Sequence, residues 1–210
     1  MTASRANAVR AVLRFIASVM MVSGVLLISD AALTLAWQEP ISAYLAERQQ
    51  TKLEEALVDP PRRVILKDPL PGDALGRLRI PAIDVSKYVI EGTDTDSLRK
   101  GPGHYPKTPL PGERGTVAIA GHRTTYGAPF RRLNEVHGGN RITLEMPYGT
   151  FVYRVQRIQV VDDSALWITK RVGYNRLVLS ACHPLYSAAQ RIVAFARLVD
   201  RRPPNVEKSS

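Results

Sequence analysis

The hydrophobic pattern of this 210-residue chain changes character twice along its length. Residues 15–37 carry a single charge, Asp30. Roughly 20 apolar residues, rising 1.5 Å each, span the hydrocarbon core of a bilayer, so this segment predicts a membrane helix. Trp37 at its end suits an interfacial anchor. Over residues 40–57, Ile41, Leu45, Leu53 and Leu57 fall at roughly helical spacing. Asp59-Pro60-Pro61-Arg62-Arg63 breaks that helix, and Pro69, Pro71 and Gly72 prolong the interruption. Proline density of this kind makes a semi-rigid spacer, expected here to hold the following domain off the membrane.

From about Leu75 the pattern is that of β-structure, with Leu75, Leu78 and Ile80 followed by Pro81 and then Val85, Val89 and Ile90. Residues 93–100 read as a short helix and 101–115 as a long loop rich in proline and glycine. Residues 116–120, 141–146, 150–161, 176–181 and 192–199 read as strands, bounded by Gly, Asn, Asp or Pro. Short strands without long helices between them predict a mostly β fold, a closed or nearly closed barrel. The expected organisation is a tail over 1–14, an anchor over 15–37, a helical and proline-rich spacer over 38–74, a β domain over 75–200 and a disordered polar tail over 201–210.

A cleaved signal peptide competes for the first segment, because its apolar region runs roughly 7–15 residues and ends in small residues. Ala31-Ala32 would be the cleavage site, but the apolar run resumes through Trp37, which favours an uncleaved anchor. Arg5, Arg10 and Arg14 precede the segment and Glu39 is the first charge after it. Positive flanks stay in the cytoplasm, so the N-terminus is expected inside and the β domain outside.

The net charge of +10 raises the question of nucleic acid. Removing residues 1–37 takes away three arginines and one aspartate and leaves +8. No basic run interleaved with aromatics makes a binding strip, and no nucleic-acid partner is expected. A basic surface outside a membrane fits the anionic cell wall and lipid head groups instead.

The one cysteine, Cys182, cannot form an internal disulfide, so it is either an inert buried hydrophobe or a reactive thiol. Side chains in a strand alternate between faces. Leu177, Leu179 and Ala181 then share an apolar face suited to the barrel interior, and Cys182 points away from it at the strand's end. A thiol is mostly protonated at neutral pH and needs a base to become a nucleophile. Of the four histidines, His183 would face the opposite way, His137 lies in a turn, and His104 lies in the proline-glycine loop where it is placed to line a pocket. His122 follows Gly121 at the end of the apolar strand 116–120, the same placement as Cys182, and is the best partner. A merely exposed strand-end histidine is the alternative. Arg191 opens the strand that returns beside Cys182. Its permanent charge and fixed donors suit the oxygen anion of acyl transfer, although one arginine at a strand start is also ordinary surface charge.

These residues sit in stretches that resemble the sortase family: Gly101-Pro102-Gly103-His104-Tyr105-Pro106, Pro111-Gly112-Glu113-Arg114-Gly115, Ala118-Ile119-Ala120-Gly121-His122-Arg123, Leu179-Ser180-Ala181-Cys182 and Arg191. The likeness covers roughly residues 75–200, in order and spacing. It implies an eight-stranded sortase β-barrel with short helices behind an N-terminal transmembrane helix. It also implies a cysteine transpeptidase with His122, Cys182 and Arg191 as catalytic residues and Tyr126, His104, Ser180 and Ala181 on the substrate side.

The stretches from His122 to Phe130 and from Cys182 to Ala188 are similar to class E, the housekeeping sortases of actinobacteria. That similarity implies a Leu-Ala-X-Thr-Gly signal rather than Leu-Pro-X-Thr-Gly. Ser180-Ala181 stands where class A commonly carries two threonines. The implied partners are secreted proteins with a C-terminal sorting signal, cut between Thr and Gly, and the amine of a lipid-linked peptidoglycan precursor at the cell membrane. No cofactor is implied, and no acidic cluster marks a calcium site. A pilin-polymerising sortase is disfavoured because no lid with an Asp-Pro aromatic motif precedes residue 116. An L,D-transpeptidase is disfavoured because Ser-His-Gly-Cys is absent. A catalytically silent wall-binding module on the same barrel remains the third alternative.

Overall fold

The computed structural model describes residues 2–36 and 40–204. The chain divides into two units. The first holds helix α1 (Thr2–Ala36), whose segment Arg10–Leu33 is long and apolar enough to cross a membrane. The expected interfacial anchor Trp37 lies outside the described residues.

The second unit begins with helices α2 (Pro40–Ala56) and α3 (Arg62–Ile65). Strands β1 (Ala74–Ile80) and β2 (Val85–Glu91), helix α4 (Thr95–Leu98) and strands β3 (Gly103–His104) and β4 (Thr116–Ala120) follow. Strands β5 (Arg141–Met146), β6 (Gly149–Asp162), β7 (Arg176–His183) and β8 (Gln190–Arg202) complete it. They close into an eight-stranded barrel in the order β1-β2-β3-β4-β7-β8-β6-β5.

Alternation fills the interior. Ile142 and Leu144 of β5, Leu177, Leu179 and Ala181 of β7 and Ile119 of β4 belong to one buried cluster. The outer faces of β4, β7 and β8 are buried as well. Ala118, Val178, Val193 and Phe195 form a second cluster under Ile168 of the β6–β7 connection. Strands covered on both faces read as continuous apolar runs, which is why residues 116–120 and 177–179 lack polar alternation.

Three departures from the sequence reading matter. Strand β3 lies inside the stretch expected to be only a loop, and its two residues join β2 to β4 and complete the ring. Strand β8 runs into the expected tail, because Arg201 and Arg202 pair with Phe151 and Thr150 of β6. Helix α2 is part of the barrel body rather than a free spacer. Its Gln50, 5% exposed, donates to the carbonyls of Tyr88 (3.1 Å) and Lys100 (2.8 Å) and accepts the Tyr88 N–H (2.6 Å). Strand β3 pairs only with Ile90 and Glu91 of β2, so one side-chain amide serves the backbone where a strand neighbour is missing. Leu53, one turn further on, packs with Ala74 and Ile90. Leaving a buried polar group unpaired costs about 1–3 kcal/mol. Gln50→Leu, which orphans three such groups at once, is therefore expected to lower the Tm in thermal denaturation by several degrees.

Candidate active site

Strands β4 and β7 are parallel neighbours, paired in step from Thr116 with Arg176 to Ala120 with Ser180. The Gly121 N–H adds one more rung to the Ser180 carbonyl (3.0 Å). Carrying that register two residues further sets His122 level with Cys182, on strands roughly 4.8 Å apart. Strands β7 and β8 are antiparallel, and their register puts Cys182 directly opposite Arg191. Three adjacent strand ends therefore deliver a thiol, an imidazole and a guanidinium to one place. They line a cavity of about 300 Å³ with Tyr105, Ser180 and Ala181, while Thr93 and Leu98 stand on its β2–α4 side.

Gly121 makes this end of β4 possible. Phe130, fully buried, donates its N–H to the His122 carbonyl (3.0 Å) and closes the loop that begins at His122. A Cβ on Gly121 would come within 2.6 Å of the Phe130 ring. Overpacking a filled site typically costs about 1–3 kcal/mol. Gly121→Ala is expected to lower the Tm and, because the displaced residue is the neighbour of His122, to lower kcat as well.

The His122 Nε2 is buried with no hydrogen-bond partner among the described residues. Orphaned buried nitrogens are rare in native proteins, and this one is free to exchange a proton with a substrate or a thiol. Burial, and secondarily the charge of Arg99, push the His122 pKa below the ordinary imidazole value. The Arg99 guanidinium lies 5.7 Å from the centre of the Tyr126 ring, whose other neighbour is the His122 ring at 5.1 Å. Removing a positive neighbour favours imidazolium. Arg99→Gln should raise the His122 pKa in an NMR titration, with the burial contribution left in place.

Arg191 donates through Nη1 to the carbonyls of Ala188 (2.7 Å) and Gln190 (2.9 Å). The β7–β8 loop thus fixes the guanidinium from one side.

Residues 78–199 match the family model described as the sortase domain. The chain belongs to the sortase family. Sortase D of Bacillus subtilis is 36% identical over 135 residues, which covers 62% of this chain and 67% of that protein. Sortase E1 of Streptomyces coelicolor is 30% identical over 149 residues, covering 63% of this chain and 42% of that protein. The solved structure of a Clostridium perfringens sortase D5 transpeptidase superposes with a TM-score of 0.65 at 22% identity, covering 75% of this chain and 99% of that one. The expected eight-stranded sortase barrel is thereby established, and the relatives include sortases of both the E and D designations.

Two of the residues expected on the substrate side of this sortase are outside the lining of this cavity. His104, 2% exposed, places Nδ1 2.7 Å from Glu91 Oε2 and Nε2 3.0 Å from Thr108 Oγ1, so both ring nitrogens are occupied inside the fold. It pairs across β3–β4 with Ile119, an interior residue. Tyr126 stands against the His122 ring and not in the cavity wall; its φ of 52° lies in the left-handed region, as do those of Gly127 and Ala128. Ser180 and Ala181 line the cavity.

The tyrosine in the cavity is Tyr105, whose hydroxyl lies 3.3 Å from Ser180 Oγ. Alternation would have found it: with His104 turned inward on β3, the next residue turns outward to the groove. His183 and His137 are both outside the cavity lining, His137 in a turn where its N–H donates to Asn140 Oδ1 (2.8 Å).

Proposed function

We propose that this sortase cleaves a C-terminal sorting signal of the Leu-Ala-X-Thr-Gly or Leu-Pro-X-Thr-Gly type between Thr and Gly and joins the new carboxyl end to an amine of a peptidoglycan precursor. The observation that carries this reading is the convergence of His122, Cys182 and Arg191 on one cavity from three neighbouring strand ends. The Cys182 thiol passes its proton to His122 as its sulfur attacks the threonine carbonyl carbon, and the oxygen takes up negative charge that the Arg191 donors stabilise. When the C–N bond breaks, His122 gives its proton to the departing glycine amine and a thioester remains on Cys182. The acceptor amine then attacks the thioester, His122 takes its proton, and the thiol is released with a new amide bond. Without an amine, water attacks the thioester and the net reaction is hydrolysis.

The apolar α1 suits a single-pass membrane anchor, with the arginine-flanked N-terminus in the cytoplasm and the barrel outside. Substrates and lipid-linked precursors both arrive at that face. The alanine-type signal is favoured by the class E resemblance around His122 and Cys182. Incubating the full chain in detergent micelles with fluorogenic alanine and proline signal peptides, with and without glycine-based amines, tests the reading. Release of the glycine-side fragment is expected, with the acyl part transferred when amine is present and the alanine peptide preferred. No cleavage of either peptide would refute it.

A further inference from the structure

The residue after His122 is a buried cation that joins no ion pair among the described residues. Arg123 is 4% exposed. Its Nη2 donates to Asn134 Oδ1 (2.8 Å) and, together with Nε, to the Arg131 carbonyl (3.3 and 3.4 Å). Its Nη1 donates to the Cys182 carbonyl (3.3 Å) and to His183 Nδ1 (3.2 Å). A guanidinium has no acceptor, so that imidazole nitrogen is the unprotonated one. Burial, and after it the charge of Arg131, hold the Arg123 pKa below the usual arginine value. A buried charge without a counter-ion is costly, and among the described residues five hydrogen bonds to neutral groups compensate this one.

The position of those bonds explains the expense. The backbone ladder between β4 and β7 ends with the Gly121 N–H on the Ser180 carbonyl. Just beyond it each strand presents its reactive side chain. Arg123 adds a side-chain link there, with its own backbone joined to His122 and its guanidinium on the carbonyl of Cys182. The turn that carries Arg131 and Asn134 holds the same guanidinium from the other side. Lysine could not serve here, since one ammonium cannot present a planar fork to four acceptors on two segments.

We propose that Arg123 is a positioning residue that clamps the end of β7 to the end of β4 and so sets the separation across which Cys182 and His122 exchange a proton. This rests on the reading of those two as the reacting pair. Misplacement of reacting groups by about 1 Å can cost on the order of 10² in rate.

The test uses the full chain in micelles and reads the alkylation rate of Cys182, the only thiol, with iodoacetamide, which requires no substrate. Arg123→Lys is expected to slow alkylation at least threefold with His122 present and to leave it unchanged in a His122→Gln background. In peptide cleavage the same variant should lower kcat at least tenfold with KM within twofold. Added ethylguanidinium should restore part of the kcat of Arg123→Ala and none of that of Arg123→Lys. Asn134→Ala, which removes one anchor and leaves the cation, should show the same pattern more weakly and supplies the test if the arginine variants do not fold. Equal slowing in both His122 backgrounds, or a lysine variant within twofold of the parent in both assays, overturns the proposal. A parent that cleaves no signal peptide refutes the proposed function instead, and the alkylation comparison still decides the role of Arg123.

Discussion

Cys182→Ala is expected to abolish both cleavage and transfer of a sorting peptide while the barrel stays folded. The chain holds no second thiol, so nothing can form the acyl intermediate in its place. In an acyl-transfer triad of this logic, loss of the nucleophile costs on the order of 10⁶ in kcat. Stability should change little, because Cys182 is only partly buried and the substitution removes one sulfur atom at a strand end. The measurement is single-turnover cleavage at high enzyme concentration, with near-ultraviolet circular dichroism as the fold control. Adding His122→Ala to this variant should cost almost nothing more, since members of a unit lose their effect together. An alanine variant that keeps more than a few per cent of the parent rate would show that the thiol is not the nucleophile.

How far the site could be read from the sequence depended on which physical signal carried each part. Strands β4 and β5 were legible to the residue, because a compact apolar or alternating run between glycine and asparagine leaves little choice of boundary. The facing of Cys182 followed from the apolar set Leu177, Leu179 and Ala181, which does lie in the interior. Its juxtaposition with Arg191 depended on strand register, which a six-residue loop leaves open until β7 and β8 are paired.

Strand β3 was hidden because two residues in a proline-glycine stretch carry no period at all. That omission misplaced His104, which looked like a loop histidine and is an interior residue paired with Glu91. The docking of α2 was equally invisible, since a glutamine bonding to strand backbone leaves no trace in a hydrophobic pattern. The same holds for Arg123, a charge that sends three of its five hydrogen bonds to backbone carbonyls.

Arg191 separates charge from geometry, and its variants should do so in the rate. Two carbonyls of the β7–β8 loop hold its Nη1, and the register holds its Cβ opposite Cys182. If Arg191 donates to the developing oxyanion, it meets an oxygen that is more negative in the transition state than in the bound peptide, and its contribution appears in kcat. Losing one oxyanion donor typically costs roughly 10²–10³ in rate, or about 2.7–4 kcal/mol. Arg191→Ala should fall in or beyond that range with a smaller change in KM. Arg191→Lys keeps the charge but loses the planar fork. Lysine cannot hold the loop carbonyls and still point a second fixed donor at the substrate, so it should recover only part of the rate. If Arg191 merely bound the ground state, KM would rise with kcat nearly unchanged. Steady-state kinetics of both variants on the fluorogenic alanine peptide decide between these outcomes. A lysine variant as active as the parent would mean that diffuse positive charge suffices, and the bracing of the guanidinium by Ala188 and Gln190 would have no catalytic meaning.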